Sequence, residues 1–124
     1  MDEQAATQAL AALAQPTRLA VFRLLVRAGP GGLPAGGVAE QLGVQPATLS
    51  FHLAQLERAG LLDSRRRSRQ ILYAARFSTM RALVAFLLED CCNGHPEICA
   101  GLLGDLVADE PPPEDAPAED TPAA

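Results

Sequence analysis

Gln45-Pro46-Ala47-Thr48-Leu49-Ser50-Phe51-His52-Leu53-Ala54-Gln55-Leu56-Glu57-Arg58-Ala59-Gly60 is the stretch on which the fold turns. Pro46 suits the first turn of a helix, where its missing N–H has no intrahelical partner to lose. Gly60 suits the residue just past the end, where a left-handed conformation closes the last turn. On a 3.6-residue wheel Leu49, Leu53 and Leu56 share one face and call for a core. Ala47, Thr48, Ser50, Phe51 and Gln55 point away from it. That outward face is small, polar near its start and free of acids until Glu57.

Just upstream, Ala35, Val38, Ala39 and Leu42 line one face of a shorter helix, which Gly43 breaks. A short helix, a glycine turn and a second helix form the helix-turn-helix pattern. In that pattern the second helix enters the DNA major groove and its first residues reach base edges. Gln45 stands at its start, Thr48 and Ser50 can hydrogen-bond bases or phosphates, and Phe51 can meet a thymine methyl. His52 sits on the shoulder of the leucine face, where packing and DNA contact are equally open.

Further towards the N-terminus, Ala6, Ala9, Leu10 and Leu13 recur at helical spacing. Pro16 opens a second helix with Leu19, Phe22 and Val26 as its stripe, ended by Gly29-Pro30-Gly31-Gly32. Downstream of Gly60 the period changes. Leu61-Leu62-Asp63-Ser64 and Gln70-Ile71-Leu72-Tyr73-Ala74 read as two strands around Arg65-Arg66-Arg67-Ser68-Arg69. This tip has neither Gly nor Asn, so a connection longer than two residues is expected. Arg65, Arg66, Arg67 and Arg69 bring four guanidiniums within five residues, a set of bidentate donors for phosphate. A charge run alone is more often a solvated loop; directly after a recognition helix, DNA binding becomes the better reading. A last helix is expected from Ser78 to about Cys92, with Met80, Val84, Leu87 and Cys91 in register and Gly94 and Pro96 to stop it. The expected fold is mainly α (α+β): a winged helix-turn-helix of about five helices and a two-stranded hairpin wing.

The 124 residues fit one domain and a tail. Aromatics are only 4% and Trp is absent, so the core must be built from Leu, Ala and Val. All ten basic residues are Arg between Arg18 and Arg81, whereas residues 105–124 hold seven acids and no base. The formal net charge of −5 therefore belongs largely to the tail and does not argue against DNA binding by the body. Residues 1–107 are expected to form the DNA-binding and dimerisation domain. Residues 108–124, with Glu110-Pro111-Pro112-Pro113-Glu114-Asp115, cannot bury enough apolar surface and are expected to be disordered. No apolar run is long enough for a bilayer, and Met1-Asp2-Glu3-Gln4 does not open a secretory signal, so the cytoplasm is the expected location and no membrane partner is foreseen. An enzyme is not expected. There is no Cys-x-x-Cys in a βαβ setting and no phosphate-binding glycine loop, and His52 and His95 show no evident nucleophile-base partnership.

Residues 45–53, with Leu56-Glu57-Arg58-Ala59-Gly60-Leu61-Leu62 and Ala14-Gln15-Pro16-Thr17-Arg18, resemble the ArsR family of metal-responsive repressors over about residues 5–100. The resemblance implies a winged-helix homodimer joined by its first and last helices, which binds operator DNA without a cofactor and leaves it when an inducer binds. Two inducer sites common in that family are absent. The helix before the recognition helix, Val38-Ala39-Glu40-Gln41-Leu42, has no cysteine, and the last helix has no His. Arg81 to Phe86 followed by Cys91-Cys92-Asn93-Gly94-His95-Pro96-Glu97-Ile98-Cys99 is similar to the arsenic-responsive subgroup with a C-terminal cysteine triad. That similarity implies As(III) or Sb(III) on Cys91, Cys92 and Cys99. Soft thiolates do select soft centres, and Gly94 and Pro96 let the chain return so that Cys99 approaches the other two. Three other readings stay open: a zinc or cadmium site completed by His95, a thiol redox sensor, and simple packing of Cys91.

Overall fold

The computed structural model describes residues 1–89. Five helices and a small sheet follow one another: α1 (Glu3–Leu13), α2 (Pro16–Ala28), β1 (Leu33–Pro34), α3 (Ala35–Leu42), α4 (Pro46–Arg58), β2 (Leu62–Arg67), β3 (Gln70–Ala75) and α5 (Phe77–Leu87). Met1–Phe86 form one compact unit, and residues from Leu87 onward belong to a second. The expected continuation of the last helix to Cys92, the boundary at 107/108 and the tail all lie outside the described residues. Among those described, no single helix is long and apolar enough to cross a membrane.

Local chemistry sets the helix ends. Asp2 Oδ1 accepts the Ala5 N–H at 2.7 Å and caps α1. Gln15 Oε1 accepts the Arg18 N–H at 2.8 Å ahead of Pro16. Gly43 ends α3 in the left-handed region, with Val44 N–H returning to the Ala39 carbonyl. At the end of α4, Gly60 has φ +82° and Leu61 N–H returns to the Leu56 carbonyl, a Schellman closure.

The core gathers Leu49, Leu53 and Leu56 of α4, Val21 and Leu25 of α2, and Val38 of α3, with Leu61, Leu62 and Ala75 at the base of the wing. The leucine face of α4 is therefore as the wheel predicts. The stripes of the first two helices are so only in part: Ala6, Ala9 and Phe22 are buried and Leu13 and Val26 pack against the core, but Leu10 and Leu19 do not. Leu10 and Leu19 are more than two-fifths exposed, while Ala6, Ala9 and Ala12 of α1 and Val21, Phe22, Leu24 and Leu25 of α2 are buried. Alanines let α1 approach closely, so its seam follows the small residues and not the largest apolar ones.

The wing also differs from expectation in two respects. It has a third strand: Leu33–Pro34 pairs with Tyr73 and Leu72, giving the antiparallel order β1-β3-β2. Two residues beside a glycine-rich turn carry too little period to announce a strand. In addition, β2 and β3 pair through Arg67 and Gln70, so the turn is the two residues Ser68-Arg69. Ser68 takes φ +57°, the positive angle that Gly or Asn usually supplies. The ladder imposes this turn despite the residue's preference, and Arg65, Arg66 and Arg67 lie within β2 rather than in a loose tip.

Gly32 enters β1 at φ +74°, and a Cβ placed there would stand 2.4 Å from the Tyr73 carbonyl oxygen. The clash is with backbone, so no side chain can yield to it. Gly32→Ala is expected to lower stability by about 2 kcal/mol through the combined steric and conformational strain. Chemical denaturation checks this; an unchanged midpoint would contradict the β1–β3 pairing.

Candidate nucleic-acid interface

Helix α4 divides its surface between two tasks. Leu49, His52, Leu53 and Leu56 are buried, and Gln45, Ala47, Thr48, Ser50, Phe51 and Ala54 are exposed. Phe51 is 58% exposed, unusual for a large aromatic that has no partner surface. Ala54 belongs to this outward face although the sequence reading did not single it out; its position between Ser50 and Arg58 on the wheel was the available signal. Gln55, read as outward, is partly buried.

The first turn of α4 has no side-chain cap. Leu49 N–H is the first to find a helical partner, the Gln45 carbonyl at 2.9 Å. The N–H groups of Ala47 and Thr48 are thus available to an anion at the positive end of the helix dipole.

His52 lies on the core side of α4, 8% exposed. Its Nδ1 faces Arg18 Nη1 at 3.4 Å, and its ring meets Phe51 edge-on at 5.7 Å between centroids. Arginine can only donate, so Nδ1 acts as the acceptor in this contact. Of the two openings left by the sequence, the geometry is that of a packed residue supporting Phe51.

The wing meets α4 across a groove of about 400 Å3. Ser50 of α4 lines it together with Arg69, Gln70, Ile71 and Tyr73 of the wing and the glycine-rich start of α3. The register pairs Arg66 with Ile71 and Ser64 with Tyr73. Strand alternation therefore puts Arg66 on the same sheet face as Ile71 and Tyr73, and Arg65 and Arg67 on the other. Arg65 Nη2 donates to the Gly31 carbonyl at 3.2 Å, tying it to the loop ahead of β1. Arg66, Arg67 and Arg69 are exposed.

Two further polar ties hold the wing in place. Ser64 Oγ donates to Glu57 Oε2 at 2.7 Å, linking β2 to the last turn of α4. Arg76 pairs with Asp63 at 2.6 Å through Nη2 and 2.8 Å through Nε, across the open end of the hairpin. Both carboxylates that could oppose a phosphate here are thus engaged by neighbours. Burial, and then the nearby Glu57 charge, raise the Tyr73 phenol above its ordinary pKa.

The three cysteines and His95 lie outside the described residues, and among the described residues no group of three His, Cys, Asp or Glu side chains could hold a metal ion.

Removing Arg66 or Arg67 as Ala is expected to weaken binding to any DNA sequence and to lower the salt slope by about 1 per residue. Anisotropy titrations at several salt concentrations measure it, and unchanged slopes would contradict the wing's contact with the backbone. Tyr73 is the sole tyrosine and there is no Trp, so absorbance reports it cleanly. Its titration should be centred above the ordinary value of about 10 and fall towards it in Glu57→Gln. The fold favours the neutral phenol, so this contribution to stability is complete below the unfolded pKa and disappears as pH rises through the folded one. A midpoint at the ordinary value would contradict the partly buried position.

Residues 13–65 match a family model described as a helix-turn-helix domain. The HTH-type transcriptional regulator YgaV of Escherichia coli is 34% identical over 90 residues, covering 73% of this chain and 88% of that protein. An ArsR-like transcriptional regulator from Rhodococcus sp. RHA1 superposes with a TM-score of 0.61 at 27% identity, over 85% of this chain and 89% of the other. A homodimeric winged helix-turn-helix domain from Mycobacterium bovis, a possible ArsR-family regulator, superposes with a TM-score of 0.56 at 24% identity, over 70% of this chain and 81% of its own.

Proposed function

The chain belongs to the ArsR family of helix-turn-helix transcriptional regulators, and from that premise we propose that it is a homodimeric operator-binding repressor released by trivalent arsenic or antimony. The observation that carries the DNA-binding part is the groove joining Ser50 of α4 to Arg69 of the wing. One surface then offers base-edge donors and acceptors beside phosphate-binding guanidiniums. Thr48, Ser50 and Phe51, with Gln45 at the entry, read the major groove. Arg66, Arg67 and Arg69 hold the backbone, which fixes register without specifying sequence.

A dimer supplies two such faces to a pseudo-palindromic site about one helical turn apart. The exposed Leu10 of α1 and Val84 of α5 support pairing through these helices, and the Mycobacterium bovis neighbour is itself a homodimer.

The inducer reading rests on the donor set. Cys91, Cys92 and Cys99 provide three sulfurs within nine residues of the chain, immediately after α5 in sequence. Three thiolates suit the pyramidal coordination of trivalent arsenic or antimony; adding His95 gives the four N/S donors that zinc prefers. Whichever centre binds, it need only favour the low-affinity dimer by about 1–3 kcal/mol to weaken operator binding roughly 5- to 150-fold.

Arsenite or antimonite added to the complex with upstream DNA should release it, and Cys92→Ser should resist. Zinc and cadmium run alongside separate the metalloid from the divalent-metal reading. Release that persists after all three cysteines are replaced would reject the thiol site while leaving operator binding intact.

A further inference from the structure

A second groove, of about 340 Å3, lies where α1, α2 and α4 meet. Gln8, Arg18, Gln55 and Arg58 line it, over a floor that includes Ala12 and Ala59. No carboxylate is among its lining residues, and among the described residues the ion pairs leave both arginines without an acidic partner. Arg18 is held in place by two contacts: Nε donates to the Ala12 carbonyl at 2.6 Å and Nη1 faces His52 Nδ1 at 3.4 Å. Two guanidiniums and two carboxamides around a small apolar floor form a donor-rich cradle whose charge is not balanced locally.

We propose that this groove is an effector site for a small organic anion, a short carboxylate or phosphate ester. Guanidiniums bind both groups through paired, charge-assisted hydrogen bonds. The carboxamides can donate to further oxygens, and the alanine floor admits a short carbon body. The volume is at the lower end of the range for small-molecule sites.

The same geometry links the site to α4. Arg18 touches the last turn of α1 through Ala12 and α4 through His52, so an anion drawing on Arg18 loads both contacts. Its binding and operator binding are then reciprocally coupled. Only this regulatory consequence rests on the reading of α4 as a recognition helix; binding at the groove does not.

The test uses the full-length, isotope-labelled protein titrated with succinate, inorganic phosphate, chloride and neutral acetamide, followed by NMR. Succinate or phosphate should shift the Gln8 and Gln55 side-chain amides saturably, and the arm that saturates assigns a carboxylate or a phosphate ligand. Arg58→Gln should weaken that binding about tenfold, the loss of a charge-assisted contact, with thermal stability and the salt slope of DNA binding unchanged. Equal shifts with chloride, shifts that do not saturate, or shifts mapping elsewhere would overturn the proposal. So would an Arg58→Gln variant that keeps its anion binding but loses salt slope, since Arg58 would then be a contact to the DNA backbone.

Discussion

The burial of Leu49, Leu53 and Leu56 is the constraint from which the rest of the structure follows. All three are essentially inaccessible, and each contributes about 2 kcal/mol by leaving water. They commit one face of α4 to the core and so determine which face remains outside. A one-residue shift would rotate the helix by about 100° and send Thr48 or Ser50 inward. The outward face can be small and polar because the inward one supplies the binding energy of the helix to its own fold. His52 extends the inward face and brings the Arg18 contact with it, so the orientation of α4 is also tied to α1 and α2.

The wing is oriented by the same helix. Leu61 and Leu62 continue from the Schellman closure of α4 straight into the core, so the hairpin leaves the body at a defined point. The Ser64–Glu57 bond then links its first strand to the last turn of α4. The brief β1 strand covers the outer edge of β3 near its middle, which shortens the exposed edge that would otherwise be open to pairing with another chain. What results is a short, braced ribbon whose Arg69 lines one groove with Ser50 of α4 and the start of α3.

Much of this was legible in the residues. The leucine stripe of α4, its Pro46 start and its Gly60 end are local signals of strong period, and they survive intact in the fold. Gly43 and the short α3 are equally clear. The features that escaped are those decided by contacts distant in sequence. Leu10 and Leu19 look like core residues because they are large and apolar, yet the close approach of α1 is made by alanines. The pairing of Leu33 with Tyr73 spans forty positions, and Ser68 takes a positive φ because strand register demands it, against its own preference. His52 could be weighed from the wheel but not assigned until Arg18, thirty-four residues away, was found beside it. For the cysteine site the legible part is chemical, three sulfurs and their spacing; residues 90–124 lie outside the described structure.

The central claim is that α4 and the wing act as one surface, presented twice by a dimer to the same side of a DNA duplex. Hydroxyl-radical footprinting on the upstream DNA tests it most directly. The account predicts two protected patches related by a pseudo-twofold axis, spaced by about one helical turn or a multiple of it and confined to one face of the duplex. A single patch, or protection spread evenly around the helix, would contradict it.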